Sequence, residues 1–238
     1  MVLLEPTEEE VISTQLLKQL SETPYACCSH LQPLSSRPGN YVYRGILARP
    51  IHIPNGAKAT SIIIKHSTDS VPKTFEELLL NSLANDSPST NIATVKSPRL
   101  YMYDVEANIQ ILEDFPNTNG FRAMLFSIDS DKLLPSPSTT AIGHRLGLWL
   151  RSFHIWASSL EQAGLRAQMW QNDPMRKVKY NFTYDTVLKV LGNYPEILKG
   201  YEKTLENIQD VIAKEFEMPS TGEGDGYGLL HGDFWSGK

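Results

Sequence analysis

Cysteine is nearly absent from this chain. Among 238 residues there are two, Cys27 and Cys28, next to each other. Neighbouring cysteines rarely bridge one another, and a single tandem pair offers no metal-ligand spacing. A disulfide scaffold and a cysteine-rich metal module are thereby excluded, and a reducing, cytoplasmic location is the expected one. Long apolar runs are missing as well. None approaches the roughly 18 residues that a membrane helix needs, so no membrane partner is expected. There is no excess of positive charge: 22 Lys and Arg stand against 27 Asp and Glu, a formal net charge of −5. That balance argues against a nucleic-acid partner. The N-terminus, Met1-Val-Leu-Leu-Glu-Pro, has no basic stretch and turns acidic at Glu8-Glu9-Glu10. It does not have the pattern of a signal peptide. No internal repeat is visible.

What is present suits one large globular domain or two small ones. A hydrophobic fraction of 41% and a charged fraction of 21% are ordinary for a chain with a packed core. Thr7 and Glu10 form a capping box ahead of apolar residues at helical spacing, which predicts a helix over about 8–21. Residues 30–66 then read as strand, loop, strand, long turn and strand. Tyr41-Val-Tyr-Arg-Gly-Ile-Leu-Ala alternates, and Thr60-Ser-Ile-Ile-Ile-Lys65 is a buried strand closing on a lysine. A lysine there is costly to bury unless it is paired; the alternative is a strand-end lysine reaching solvent. Residues 72–83 read as a helix with Glu76 and Glu77 in its first turn. A hairpin follows, Leu100-Tyr-Met-Tyr-Asp and Ile109-Gln-Ile-Leu-Glu113, turning near Asn108 and leading into Asp114 and Phe115.

Composition changes near 115, through Pro116, Asn117 and a Pro-Ser cluster at 135–138. A wide apolar helix is predicted over 139–164, carrying Trp149, Phe153 and Trp156. His154 on it reads as a core histidine. One or two helices are expected over 167–193 and one amphipathic helix over 196–216. The chain closes on Leu229-Leu230-His231-Gly232-Asp233-Phe-Trp-Ser-Gly-Lys238. Two leucines running into His-Gly-Asp predict a buried strand that ends in a polar turn. A carboxylate at such a strand end, Asp233, can take a proton from a substrate hydroxyl that comes within hydrogen-bond reach. A plain Asx-type turn is the other reading of the same residues.

His231-Gly-Asp233-Phe-Trp-x-Gly, with Lys65, an acidic first turn near Glu76 and Leu146-Gly147…His154, resembles the aminoglycoside phosphotransferase and choline kinase-like family. The resemblance implies an α+β, protein kinase-like fold: an antiparallel β-sheet small lobe in residues 1–114, and a mainly helical large lobe in 115–238 that ends at the catalytic loop. It implies an ATP-dependent enzyme moving the γ-phosphate to the hydroxyl of a small acceptor, with ATP and Mg²⁺ as cofactors. In that pattern Asp233, within His231-Gly-Asp233, is the catalytic aspartate. Lys65 holds the α- and β-phosphates, Glu76 (or Glu77 in the alternative register) pairs with it, and the backbone around Glu113, Asp114 and Phe115 meets the adenine. Two departures bear on activity. Lys238 stands where the pattern has the Asn that helps hold Mg²⁺, and a second metal-binding Asp has no counterpart. No metal ligand is therefore assigned, and the chain is expected to be C-terminally truncated and inactive as written. A non-enzymatic nucleotide-binding or interaction module of kinase ancestry is the alternative. A hydrolase or metal protein using His231 and Asp233 ranks last, for want of a third ligand.

Overall fold

The computed structural model describes residues 7–37, 40–53, 58–67, 74–85, 96–118, 120–133, 136–217 and 229. By their contacts, the described residues up to 124 form one unit and those from 125 onward another.

The first unit opens with α1, Glu8–Leu20. Its capping box is formed as the sequence predicts: the Thr7 amide donates to Glu10 Oε2 at 2.8 Å, and Thr7 Oγ1 accepts from the Glu10 amide at 3.3 Å. Ile12, Leu16 and Leu20 are the buried stripe of this helix. They pack with Leu31, Tyr41, Tyr43, Leu47, Ile62, Ile64, Ile109 and Ile111 of the sheet.

That sheet consists of β1 (Cys28–Arg37), β2 (Asn40–His52), β3 (Lys58–Ser67), β4 (Leu100–Asp104) and β5 (Ile109–Glu113), with α2 (Thr74–Asn85) between β3 and β4. The strands lie in the order β1-β2-β3-β5-β4, and every pairing is antiparallel. Successive strand residues face opposite sides, and this alternation sorts the sheet into two surfaces. Ile62 and Ile64 are fully buried on the α1 side, so Ser61, Ile63 and Lys65 lie on the other. On β2, Tyr41, Tyr43 and Leu47 belong to the α1 side, which leaves Val42 and Arg44 opposite. Arg44 pairs in register with Ile63, Ile63 with Leu112, and Lys65 with Gln110. Gly45 sits where three strands crowd together. A Cβ there would meet Ile64 Cδ1 at 2.8 Å and Cys28 Sγ at 2.9 Å.

The second unit is helical: α3 (Phe121–Leu125) bridges into it, followed by α4 (Ser130–Leu133), α5 (Ser136–Ser158), a 3₁₀ turn (Leu160–Gln162), α6 (Ala163–Trp170), α7 (Asp173–Tyr180), a π turn (Asn181–Asp185), α8 (Thr186–Leu191), α9 (Pro195–Leu198) and α10 (Glu202–Glu217). Along α5, Trp149, Phe153 and Trp156 bury their rings and pack in series, with centroids 5.5 and 5.6 Å apart.

A five-stranded antiparallel sheet followed by a helical unit fits the expected α+β class. Three expectations need correction. The long helix stops at Ser158 rather than near 164, because Ser159 adopts an extended conformation (φ −65°, ψ 159°) that starts a 3₁₀ turn. Arg166 then donates to the carbonyls of Ala157 and Ser159 at 2.8 and 2.6 Å, satisfying acceptors that the helix end leaves open. The helix expected over 196–216 is two helices, because Gly200 takes a positive φ of 86° between α9 and α10. His154 is exposed rather than buried in the core.

Candidate functional site: a cleft on the first unit

The face of the sheet opposite α1 carries a cleft of about 320 Å³, within the size range of small-molecule sites. Arg44, Ile63 and Lys65 come to it from β2 and β3, Leu112 and Glu113 from β5, and Pro98, Asp114, Phe115 and Thr118 from the flanking segments. Ile63, Leu112, Pro98 and Phe115 give it apolar walls, and Lys65 places one ammonium among them.

Strand parity puts Lys65 on this face, and α2 brings its partner. Lys65 Nζ donates to Glu76 Oε1 at 2.5 Å. Glu76 stands in the first turn of α2, where the helix dipole favours an acidic side chain. Glu76 rather than Glu77 is thus the carboxylate in contact with Lys65. The side chains are 31% and 39% exposed, so the pair lies at the cleft's margin in reach of solvent.

At the other end of the cleft, β5 runs out through Glu113, Asp114 and Phe115, and each is held by side chains. Asp114, whose side chain is 3% exposed, accepts from Arg44 Nε at 2.8 Å, from Arg44 Nη2 at 3.1 Å and from Ser61 Oγ at 2.6 Å. A carboxylate this buried is tolerated only with its charge and lone pairs answered, and a bidentate guanidinium plus a hydroxyl does that. Glu113 accepts from Lys96 Nζ at 2.5 Å and from the Arg99 amide at 3.3 Å. Its own amide donates to the Arg99 carbonyl at 2.8 Å. Lys96 Nζ also lies 4.8 Å from the centre of the Phe115 ring, a cation–π distance. The Tyr101 hydroxyl, on β4, is pushed from 10.0 up to about 12, first by burial and then by the negative charge of Glu113.

The structure therefore gathers five of the residues singled out from the sequence, Lys65, Glu76, Glu113, Asp114 and Phe115, into or beside one cleft. His231, Asp233 and Lys238 lie outside the described residues. Arg44, Ser61 and Lys96 were not singled out. Arg44 and Ser61 could have been found by parity, since the inward-facing Tyr41, Tyr43, Ile62 and Ile64 leave 44 and 61 on the cleft face. Lys96 follows a polar stretch with no pattern to mark it. Among the described residues no three His, Cys, Asp or Glu side chains gather as a metal site. No described helix is long and apolar enough to cross a membrane.

The cleft is thus floored by an antiparallel sheet, with a strand lysine paired to a helix glutamate. The chain is 30% identical, over an alignment of 254 residues, to phosphotransferase FrzJ from Cladobotryum sp.. The alignment takes in 97% of this chain and 63% of that relative's length. No family model matches the sequence. Among solved structures, the streptomycin-ATP-APH(2")-IIa ternary complex is similar at 13% identity and a TM-score of 0.39, covering 92% of this chain and 62% of that one. At that score no residue correspondence follows.

Proposed function

We propose that this chain is an ATP-dependent small-molecule kinase of the aminoglycoside phosphotransferase type, with residues 1–114 as its nucleotide-binding lobe and 115–238 as the helical lobe leading to the catalytic loop. The observation that carries the reading is the Lys65–Glu76 pair at one end of a cleft whose other end is formed by 113–115. Adenine fits the apolar walls of Ile63, Leu112 and Phe115, and the phosphates extend toward Lys65. Glu76 holds the Lys65 ammonium at the cleft instead of letting it swing into solvent. Asp233 accepts a hydrogen bond from the acceptor hydroxyl, orienting it for in-line attack on the γ-phosphate and taking its proton. The acceptor is a small alcohol. Mg²⁺ supplies neutralisation of phosphate charge in kinases of this kind; the described residues assign no ligand to it.

One residue favours the second reading, a nucleotide-binding module without turnover. Lys238, at the position of the pattern's Asn, has three donors and no acceptor while charged, so it attracts phosphate and repels Mg²⁺. We therefore expect ATP binding to outlast catalysis in this chain. Calorimetric titration with ATP, with and without Mg²⁺, tests the binding. Lys65→Met should weaken it roughly 10- to 100-fold, the worth of a charge-assisted hydrogen bond. No ATP binding by the unaltered chain contradicts the nucleotide assignment. An ATP-consumption assay over aminoglycosides, choline, ethanolamine and sugars tests the chemistry. Rapid turnover that Asp233→Asn abolishes would overturn the expectation of poor catalysis and establish the kinase.

A further inference from the structure

We infer that Arg44 and Ser61 are positioning residues for recognition of the nucleotide's base: by fixing the Asp114 carboxylate they hold the backbone of 113–115 in the one shape that can read it. This rests on the reading of the cleft as a nucleotide site and adds a specificity determinant to it.

Three observations converge. The Asp114 side chain is almost wholly buried, and it ties the end of β5 to the next two strands of the sheet, to β2 through the bidentate contact from Arg44 at 2.8 and 3.1 Å and to β3 through the Ser61 hydroxyl at 2.6 Å. Its neighbours are tied from the opposite flank, Glu113 by Lys96 and the Arg99 amide, and Phe115 by the Lys96 ammonium over its ring. Finally, Arg44, Asp114 and Phe115 all line the same cleft as Lys65, so the clamp is part of the cavity wall. Recognition by backbone groups depends on their being held in place beforehand, because an unfixed segment loses affinity to its own ordering. A bidentate guanidinium–carboxylate contact fixes both distance and plane, which a lysine's point charge cannot do.

The reach of the clamp separates it from the phosphate end. Lys65 is held by Glu76 of α2, whereas Asp114 is held by Arg44 of β2 and Ser61 of β3. The base and the phosphates are thus served by two independent groups, and a lesion in one should leave the other intact.

The test is a set of calorimetric titrations of the unaltered chain, Arg44→Lys, Ser61→Ala and Lys65→Met with ATP, GTP and inorganic tripolyphosphate, with thermal unfolding of each variant alongside. Arg44→Lys keeps a cation beside Asp114 but removes the planar fork. It should weaken the better-bound nucleotide about tenfold, a loss of one bidentate constraint, and draw the ATP-to-GTP affinity ratio toward one, while tripolyphosphate binding stays unchanged. Ser61→Ala should show the same pattern at smaller amplitude, and serves alone if Arg44→Lys does not fold. Lys65→Met should weaken all three ligands and leave the ATP-to-GTP ratio where it was. An unchanged nucleotide ratio in a folded Arg44→Lys or Ser61→Ala variant overturns the inference, as does equal weakening of nucleotide and tripolyphosphate. If the unaltered chain binds tripolyphosphate and nucleotides equally, no base is read and the inference fails while the phosphate site stands. If it binds none of them, the nucleotide assignment itself fails and takes the inference with it.

Discussion

Two of the ion pairs at the cleft are built on opposite terms. Lys65 and Glu76 meet with roughly a third of each side chain exposed. Arg44 and Asp114 meet with the carboxylate all but sealed away. Solvent screens the first pair and lets it rearrange; exposed pairs of that kind contribute about 0–1 kcal/mol to stability. The second is a buried contact whose rupture strands a charge, at about 3–5 kcal/mol. The difference teaches which end is scaffold and which end is free to respond to a ligand. A partner that must exchange a carboxylate for phosphate belongs where the exchange is cheap, and a backbone segment that must keep its shape belongs where rearrangement is dear.

Breaking the buried end should have the largest effect. Arg44→Ala leaves a sealed carboxylate without its cation and should destabilise by about 3–5 kcal/mol in urea unfolding. Asp114→Ala should cost less, because Arg44 is 28% exposed and can turn its charge to water. Equal costs for the two would erase the asymmetry on which the comparison rests.

Gly45→Ala comes next, and sharpens the comparison by striking the sheet's other face. Its new Cβ would meet Ile64 and Cys28 at under 3.0 Å, and Ile64 is fully buried with nowhere to withdraw. Overpacking of this sort costs about 1–3 kcal/mol. Since the insult lies behind the sheet, any ATP binding should weaken no more than the loss of folded protein explains.

Lys65→Met should leave stability within about 1 kcal/mol of the unaltered chain, measured in the same urea series. A stability loss as large as that of Arg44→Ala would show Lys65 to be structural.

The smallest effect expected is an alkaline one at the Glu113 end. The Tyr101 hydroxyl is held at about 12 in the folded chain, against 10.0 as its ordinary value. Its folded value is raised, so its contribution is fully present below about pH 10 and is lost as pH rises toward 12. The melting temperature should fall across that window, and Tyr101→Phe should flatten the fall.

The two ends were also unequally legible in the sequence. Ile-Ile-Ile-Lys65 followed by an acidic first turn marks the exposed pair with a pattern, because both partners sit eleven residues apart on consecutive elements. Arg44 and Asp114 are 70 residues apart, and only the order in which β2, β3 and β5 assemble brings them together. Strand parity restricts Arg44 to the cleft face but names no partner for it. The sheet itself was readable from alternation and turn residues, and α1 from its capping box. The helical unit was harder. Continuous apolar spacing through 139–164 and 196–216 gives no warning that Ser159 turns extended or that Gly200 takes a positive φ, since either residue can also sit inside a helix. The closing His231-Gly-Asp233 motif remains a sequence argument, lying outside the described residues.

The most direct measurement of the central claim is where ATP lands on the first unit. Amide NMR spectra of isotopically labelled protein, recorded through an ATP titration, should show saturable shifts at Ile63, Lys65 and Leu112 through Phe115, with the α1-side residues Ile12 and Leu16 still. Saturable shifts confined to residues away from the cleft, or no shifts at all, would contradict the account.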